Sequence, residues 1–161
     1  MPAIEPSVPT GRTVTRRAAI AMAGVSLGAL TACSFTPDRS GDPATKTLTN
    51  LADAARADAA AATALIATAP SLATTLRLIA EQRTEHARAI TDELSRFLEQ
   101  PAPSPSAAPA PATRTQAKLV SQLKASARAA GDAAVSSSGF RASLLGAVAA
   151  AVTTHAEVLL A

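Results

Sequence analysis

Aromatic side chains are nearly missing from this sequence. It contains no Trp and no Tyr, and its three phenylalanines are Phe35, Phe97 and Phe140. Platforms on which bases or sugars stack are therefore almost absent. Cysteine occurs once, at Cys33. No disulfide closes within the chain, so packing alone must hold the fold. There is no Walker loop, dinucleotide fingerprint, Cys/His zinc spacing or calcium loop. A basic surface is missing too. Three of the 15 Lys and Arg residues and one of the 12 Asp and Glu residues precede Cys33, which leaves a formal charge of +1 beyond it. Such a surface does not attract polyanions, so nucleic acid is not an expected partner.

What the sequence does contain begins with an address. Arg12, Arg16 and Arg17 supply a basic start, Ala18–Thr31 an uncharged run, and Leu30-Thr31-Ala32-Cys33 a segment that looks like a bacterial lipobox. Basic, apolar and small-residue segments in this order form a secretory signal. On this reading residues 1–32 are removed and Cys33 carries the lipid. A single acyl chain holds marginally, whereas the diacylglyceryl group usual at such a cysteine meets the need for more than one. The run is short for a spanning helix and too apolar for a disordered tail. Thr15-Arg16-Arg17-Ala18-Ala19-Ile20 also resembles a twin-arginine signal, although Ala19 stands where a bulky residue is usual. General secretion and twin-arginine export both stay open. Gly24-Val25-Ser26-Leu27-Gly28 matches a nucleophile elbow, but that elbow needs a strand before it and a helix after it, so inside a signal it is chance.

Beyond Cys33 the chain reads as all-α. Residues 33–46, broken by Pro37, Gly41 and Pro43, read as a tether, and 47–161 as one domain. Roughly a quarter of the residues are alanine, which favours helix. Helix 1 is expected from about 47 to 68 with the stripe Leu51, Ala55, Asp58, Ala62, Leu65 and Ala69. Pro70 breaks it, and Ser71 is placed to cap helix 2, which runs to about Gln100. Its inward stripe is Leu72, Leu76, Ile79, Arg83, His86, Ile90, Leu94 and Phe97. Its other face is charged: Arg77, Glu81, Glu85, Arg88, Asp92, Arg96 and Glu99. Residues 101–115 form a proline-rich linker. Twelve of them in polyproline II reach about 37 Å, the length of a helix of about 25 residues. They suit either a crossover between parallel helices or a loose loop. Helix 3 (about 116–135) carries Leu119, Leu123, Ala127, Ala130 and Ala134. After Ser136–Gly139, helix 4 carries Arg141, Leu145, Val148, Val152, His155 and Leu159 to the chain's end.

The two histidines fall alike, His86 about 15 residues past its turn and His155 about 16 past its own. Two hairpins, each with one inward histidine on its second helix, make a four-helix bundle. The lipobox, the alanine richness and the paired histidines together resemble a ferritin-like domain family of exported actinobacterial lipoproteins. That resemblance implies a ferritin-like bundle over roughly 48–161 on the outer face of the cell membrane. Ferritin-like metalloproteins carry Glu-x-x-His on helices 2 and 4. Here Arg83 precedes His86 and Val152 precedes His155 by three, so di-iron chemistry does not carry over.

Asp58 falls near Arg83 and His86, where a buried carboxylate needs a partner. The first reading is a structural polar cluster that sets helix register. The second is a transition-metal site of His86, His155 and Asp58, with Glu85 or Glu157 assisting. Catalysis is not expected, because no nucleophile, oxyanion loop or second carboxylate is arranged beside these residues. The expected role is structural or interactive, with metal binding and apolar-ligand carriage as alternatives. The partners are the membrane, through the lipid, an unidentified protein, and a second copy of the chain.

Overall fold

The computed structural model describes residues 38–105 and 115–161, and every regular element among them is helical. Asp42 and Pro43 set the start of α1 (Pro43–Leu65). The Asp42 carboxylate accepts from the Ala44 amide at 2.7 Å. Pro43 brings a preset φ to the first helical position, where its missing N–H costs nothing. Sequence alone suggests a tether up to residue 46. The helix takes in 43–46 instead, and Thr45 is buried with its hydroxyl donating to the Arg39 carbonyl at 2.7 Å.

Pro70 pushes Ala69 out of helical geometry (φ −134°, ψ 66°). A 3₁₀ turn, Pro70–Leu72, then leads into α2 (Ala73–Leu98). Ser71 does not cap α2: Leu72 holds the cap position without a side-chain bond. Glu99 ends α2 in the left-handed region (φ 57°), and the Gln100 amide returns to the Ser95 carbonyl at 3.2 Å. In α3 (Gln116–Val135), Thr115 caps the start by accepting from the Lys118 amide at 3.3 Å. Gly139 has φ 58°, a conformation that suits glycine, and opens α4 (Gly139–Thr154). One π-helical turn, His155–Leu159, continues α4. Its wider winding shifts the register by a residue, so Leu160 takes the last core position while Leu159, the stripe residue by spacing, is only partly buried.

The helices pair as two hairpins, α1 on α2 and α3 on α4, with further packing of α1 on α3 and of α2 on α4. Cross-helix partners give the directions. Asp58 meets Arg83, and Arg39, just before α1, meets the Phe97 carbonyl near the end of α2. Gln82 meets His155, and Glu93 meets Arg141. Asp58 also meets Gln122, and Leu48 borders the same cavity as Ala133. Each helix is thus antiparallel to its neighbours, and α2 runs parallel to α3. α2 ends and α3 begins at opposite ends of the bundle. Ala102–Pro105 lie back along the α1–α2 hairpin. The Ala102 amide donates to Ser95 Oγ at 3.0 Å, and Ala102–Pro105 border a cavity with Thr91, Leu94 and Arg56.

The core is leucine, isoleucine and valine from all four helices, with Leu48, Leu76, Ile79, Ile90, Leu123, Leu145 and Val152 almost fully buried. Ala55, Ala62 and Ala130 fill the seams and are equally buried. Alanine lets helix axes approach, toward the lower end of about 8–10 Å, but buries little apolar area. The charged face of α2 is solvated as expected. There Arg88 bridges Glu85 at 3.1 Å and Asp92 at 3.4 Å, and such exposed pairs contribute a few tenths of a kcal/mol each.

Candidate functional site

Near mid-height, all four helices send a polar side chain inward. Asp58 of α1 is wholly buried. One carboxylate oxygen, Oδ2, receives Arg83 through both Nε at 3.0 Å and Nη2 at 2.8 Å, two charge-assisted bonds onto a single atom. Its other oxygen accepts from Gln122 Nε2 of α3 at 2.6 Å. Arg83, 2% exposed, turns its remaining nitrogen, Nη1, to His86 Nδ1 at 3.1 Å. A guanidinium only donates, so His86 accepts at Nδ1 and carries its proton on Nε2. His155 of α4 is also 2% exposed and bonds through Nε2 to the Gln82 side-chain oxygen. That oxygen only accepts, so His155 Nδ1 is the unprotonated nitrogen. It is buried without a hydrogen-bond partner. The two rings lie 6.4 Å apart between centroids, inclined by 22°.

The electrostatics follow from burial. His86 is pushed down to about 4, first by burial, then by the Arg83 cation and by His155. His155 is pushed down by burial and by Arg83, with Asp58 opposing. Burial also lowers Arg83, and Asp58 pulls it back. The ensemble at neutral pH is one carboxylate, one guanidinium and two neutral imidazoles. Sequence places Asp58, Arg83, His86 and His155 together, and they are together here. Gln82 and Gln122 were missed. Gln82 is exposed and Gln122 half-buried, so neither falls on an apolar stripe, yet each satisfies a buried group.

The donor set does not fit a metal as it stands. Both Asp58 oxygens are engaged, Arg83 stands beside His86, and the His86 lone pair faces that cation. Among the described residues, no group of three or more His, Cys, Asp or Glu side chains is placed to hold one. Glu85 pairs with Arg88, and Glu157 pairs with Lys124 at 3.0 Å.

A second polar cluster lies toward the end where the chain enters. Glu93 of α2, 6% exposed, is held by Arg141 Nε at 3.1 Å and by Arg96. Arg141 and Arg39 lie over the Phe97 ring at 4.4 and 5.2 Å, and Arg96 over Phe140 at 4.7 Å. Two of the chain's three aromatic rings thus serve as cation platforms. Glu93 was not singled out by spacing, because it flanks the stripe beside Leu94. Glu93→Ala should cost about 2 kcal/mol by removing charge-assisted bonds from a buried carboxylate, read as a lower urea midpoint with an unchanged slope. Arg56 is half-buried: it lies 3.5 Å from Asp53 and borders the cavity beside the Ala102–Pro105 segment. Arg77 and Arg128 are exposed.

The proposed signal and lipidation residues, Arg16, Arg17, Leu30, Ala32 and Cys33, lie outside the described residues. In comparisons with known proteins, no family model, no curated protein and no solved structure matches the chain.

Proposed function

We propose that this is an exported, lipid-anchored helical bundle of ferritin-like arrangement that acts as a structural or interaction module at the outer face of the cell membrane, without catalysis. The observation that carries the reading is the placement of the only cysteine, at the end of a signal-like segment and a few residues before the helical domain. The core cluster supports the non-catalytic part. Its carboxylate and guanidinium neutralise each other and are bonded on both sides. The ferritin-like part is supported by two antiparallel hairpins with α2 parallel to α3, the arrangement that needs one long connection. The family's metal motif is absent, so the core keeps polar groups for register rather than for iron.

The test is the lipid. Expressed in a bacterial host fed an alkyne-labelled fatty acid, the chain should take up label and partition with membranes. Cys33→Ser should abolish the label and release the protein. Membrane retention of unlabelled Cys33→Ser at the parent level would overturn the anchor. Metal titration of the same protein addresses the alternative site: stoichiometric binding lost in both His86→Ala and His155→Ala would move the function to metal handling.

A second reading, carriage of a small apolar ligand, is favoured by one cavity. About 330 Å³ opens between the hairpins at the chain-entry end, bordered by Leu48, Ala133 and Leu145 and by the polar Asp42 and Arg141. That volume is at the lower edge for small-molecule sites. A medium-chain fatty acid should raise the melting temperature if the cavity is a site, and Ala133→Phe should remove the shift. No shift with any chain length would dismiss this reading.

A further inference from the structure

We propose that the two hairpins are hinged along α1–α3 and that α2–α4 is the edge that opens, so that mild acid parts the bundle locally before it unfolds. The two seams between the hairpins are built differently. α1 and α3 approach closely over more of their length than α2 and α4 do. They meet through Asp58 and Gln122 at mid-height and through Leu48 and Ala133 around the cavity.

Across α2–α4 the ties are polar. Gln82 holds His155, and Glu93 holds Arg141. Arg141, Val148 and His155 follow at seven-residue intervals, so they share a stripe of α4. Of the three only Val148 is apolar, and it is 3% exposed. On α2, Gln82 and Glu93 lie three helical turns apart with Ala89 between them. Opening this edge breaks two side-chain ties and uncovers less apolar surface than parting either hairpin.

His155 is the group that responds to acid. Its Nε2–H is spent on Gln82, and its Nδ1 is buried without a partner. A further proton can go only to Nδ1, where the closed fold offers no acceptor. The charged and titratable groups around the ring are Arg83 and His86 from α2 and Asp58 from α1. From α3 comes the neutral Gln122 at that height, and Glu157, just beyond His155, is turned to Lys124. Burial and Arg83 oppose the charge. Asp58 favours it, but both its oxygens are already engaged. Gln82, which covers Nε2, is itself exposed, so the ring lies near the margin of the seam. A small parting lets water reach Nδ1. Both histidines of the chain border this edge, and neither lies on α1 or α3. Protonation therefore loosens α2–α4 and leaves the two hairpins joined along α1–α3.

The test uses the full chain carrying Cys33→Ser, so that an introduced thiol is the only one. V148C places it in the seam. A130C places it on α3, at a position 1% exposed and outside the seam. Each thiol's rate with a neutral disulfide reagent is divided by its rate in the urea-unfolded chain at the same pH. Between pH 7 and pH 5 the ratio of V148C to A130C should rise at least about tenfold, within what one histidine titrating near 6.5 when exposed can supply. Adding His155→Gln should hold the ratio constant. A89C, half-buried on the α2 side, repeats the measurement without altering a core position. The two thiols becoming reactive in step would mean global unfolding and overturn the proposal. So would a rise that persists in His155→Gln, or no change at either thiol.

Discussion

Asp58→Ala should lower the stability of the domain by about 3–5 kcal/mol, the cost of stranding a buried charge. The Arg83 guanidinium, 2% exposed, would lose its only anionic partner, and Gln122 Nε2 would lose its acceptor. Most domains have only about 5–15 kcal/mol to lose. A bundle seamed with alanine buries less apolar area per residue than one seamed with leucine, so this single change should consume much of its margin. Urea unfolding followed by far-ultraviolet circular dichroism reads the effect, since there is no tryptophan to follow. The paired change Asp58→Leu with Arg83→Met removes both charges and should recover most of the loss. A single-mutant cost below about 1 kcal/mol would mean that the pair is hydrated.

The second large effect is a loss of stability in mild acid. Both histidines are held neutral in the fold, His86 down to about 4 and His155 below its ordinary value. In the unfolded chain they titrate near 6.5. Above that pH neither state binds the proton, and the histidines cost nothing. As pH falls from 6.5 toward 4, the unfolded state takes up protons first and stability drops. The groups facing them act in both directions. Arg83 and the neighbouring imidazole oppose protonation, and Asp58 favours it at His155. About 2 kcal/mol should be lost between pH 7 and pH 4.5. Surface carboxylates titrate in part of the same range, so the difference between parent and variant is the informative quantity. His155→Gln should flatten the slope of stability against pH, with the fold intact at pH 7. An unchanged slope would place the His155 imidazole in contact with water.

The helix count and the inward positions were legible because alanine-rich helices with regular leucines leave little ambiguity. Asp58, Arg83 and His155 stood out on apolar stripes, and Asp58 meets Arg83 because Pro70 sets the register of the α1–α2 hairpin. The α1 start was read late because Pro43 looks like a breaker, while Asp42 before it converts the same residue into a helix opener. Leu159 and Leu160 exchanged roles because a π turn cannot be seen in a period of 3.6. Gln82, Gln122 and Glu93 were missed because a neutral amide, or a carboxylate one position off the stripe, looks like surface. Their roles depend on what the neighbouring helix brings to the same height, which only the packed fold shows.

The contact between Arg39 and the end of α2 has a mechanical consequence. Arg39 Nη1 donates to the Phe97 carbonyl at 2.6 Å and to Glu99 at 3.1 Å, while its own carbonyl accepts from the Asp42 amide at 3.0 Å and from Thr45. A pull applied through the chain before Arg39 is therefore not borne by the first turn of α1 alone. It divides at this residue between the start of one helix and the end of its antiparallel partner. The two are drawn in the same direction, so the hairpin is displaced as a unit rather than unzipped from its open end. Arg39→Ala would leave resting stability almost unchanged, the ion pair being part-exposed. It should lower the force at which the bundle yields when stretched from its N-terminal side.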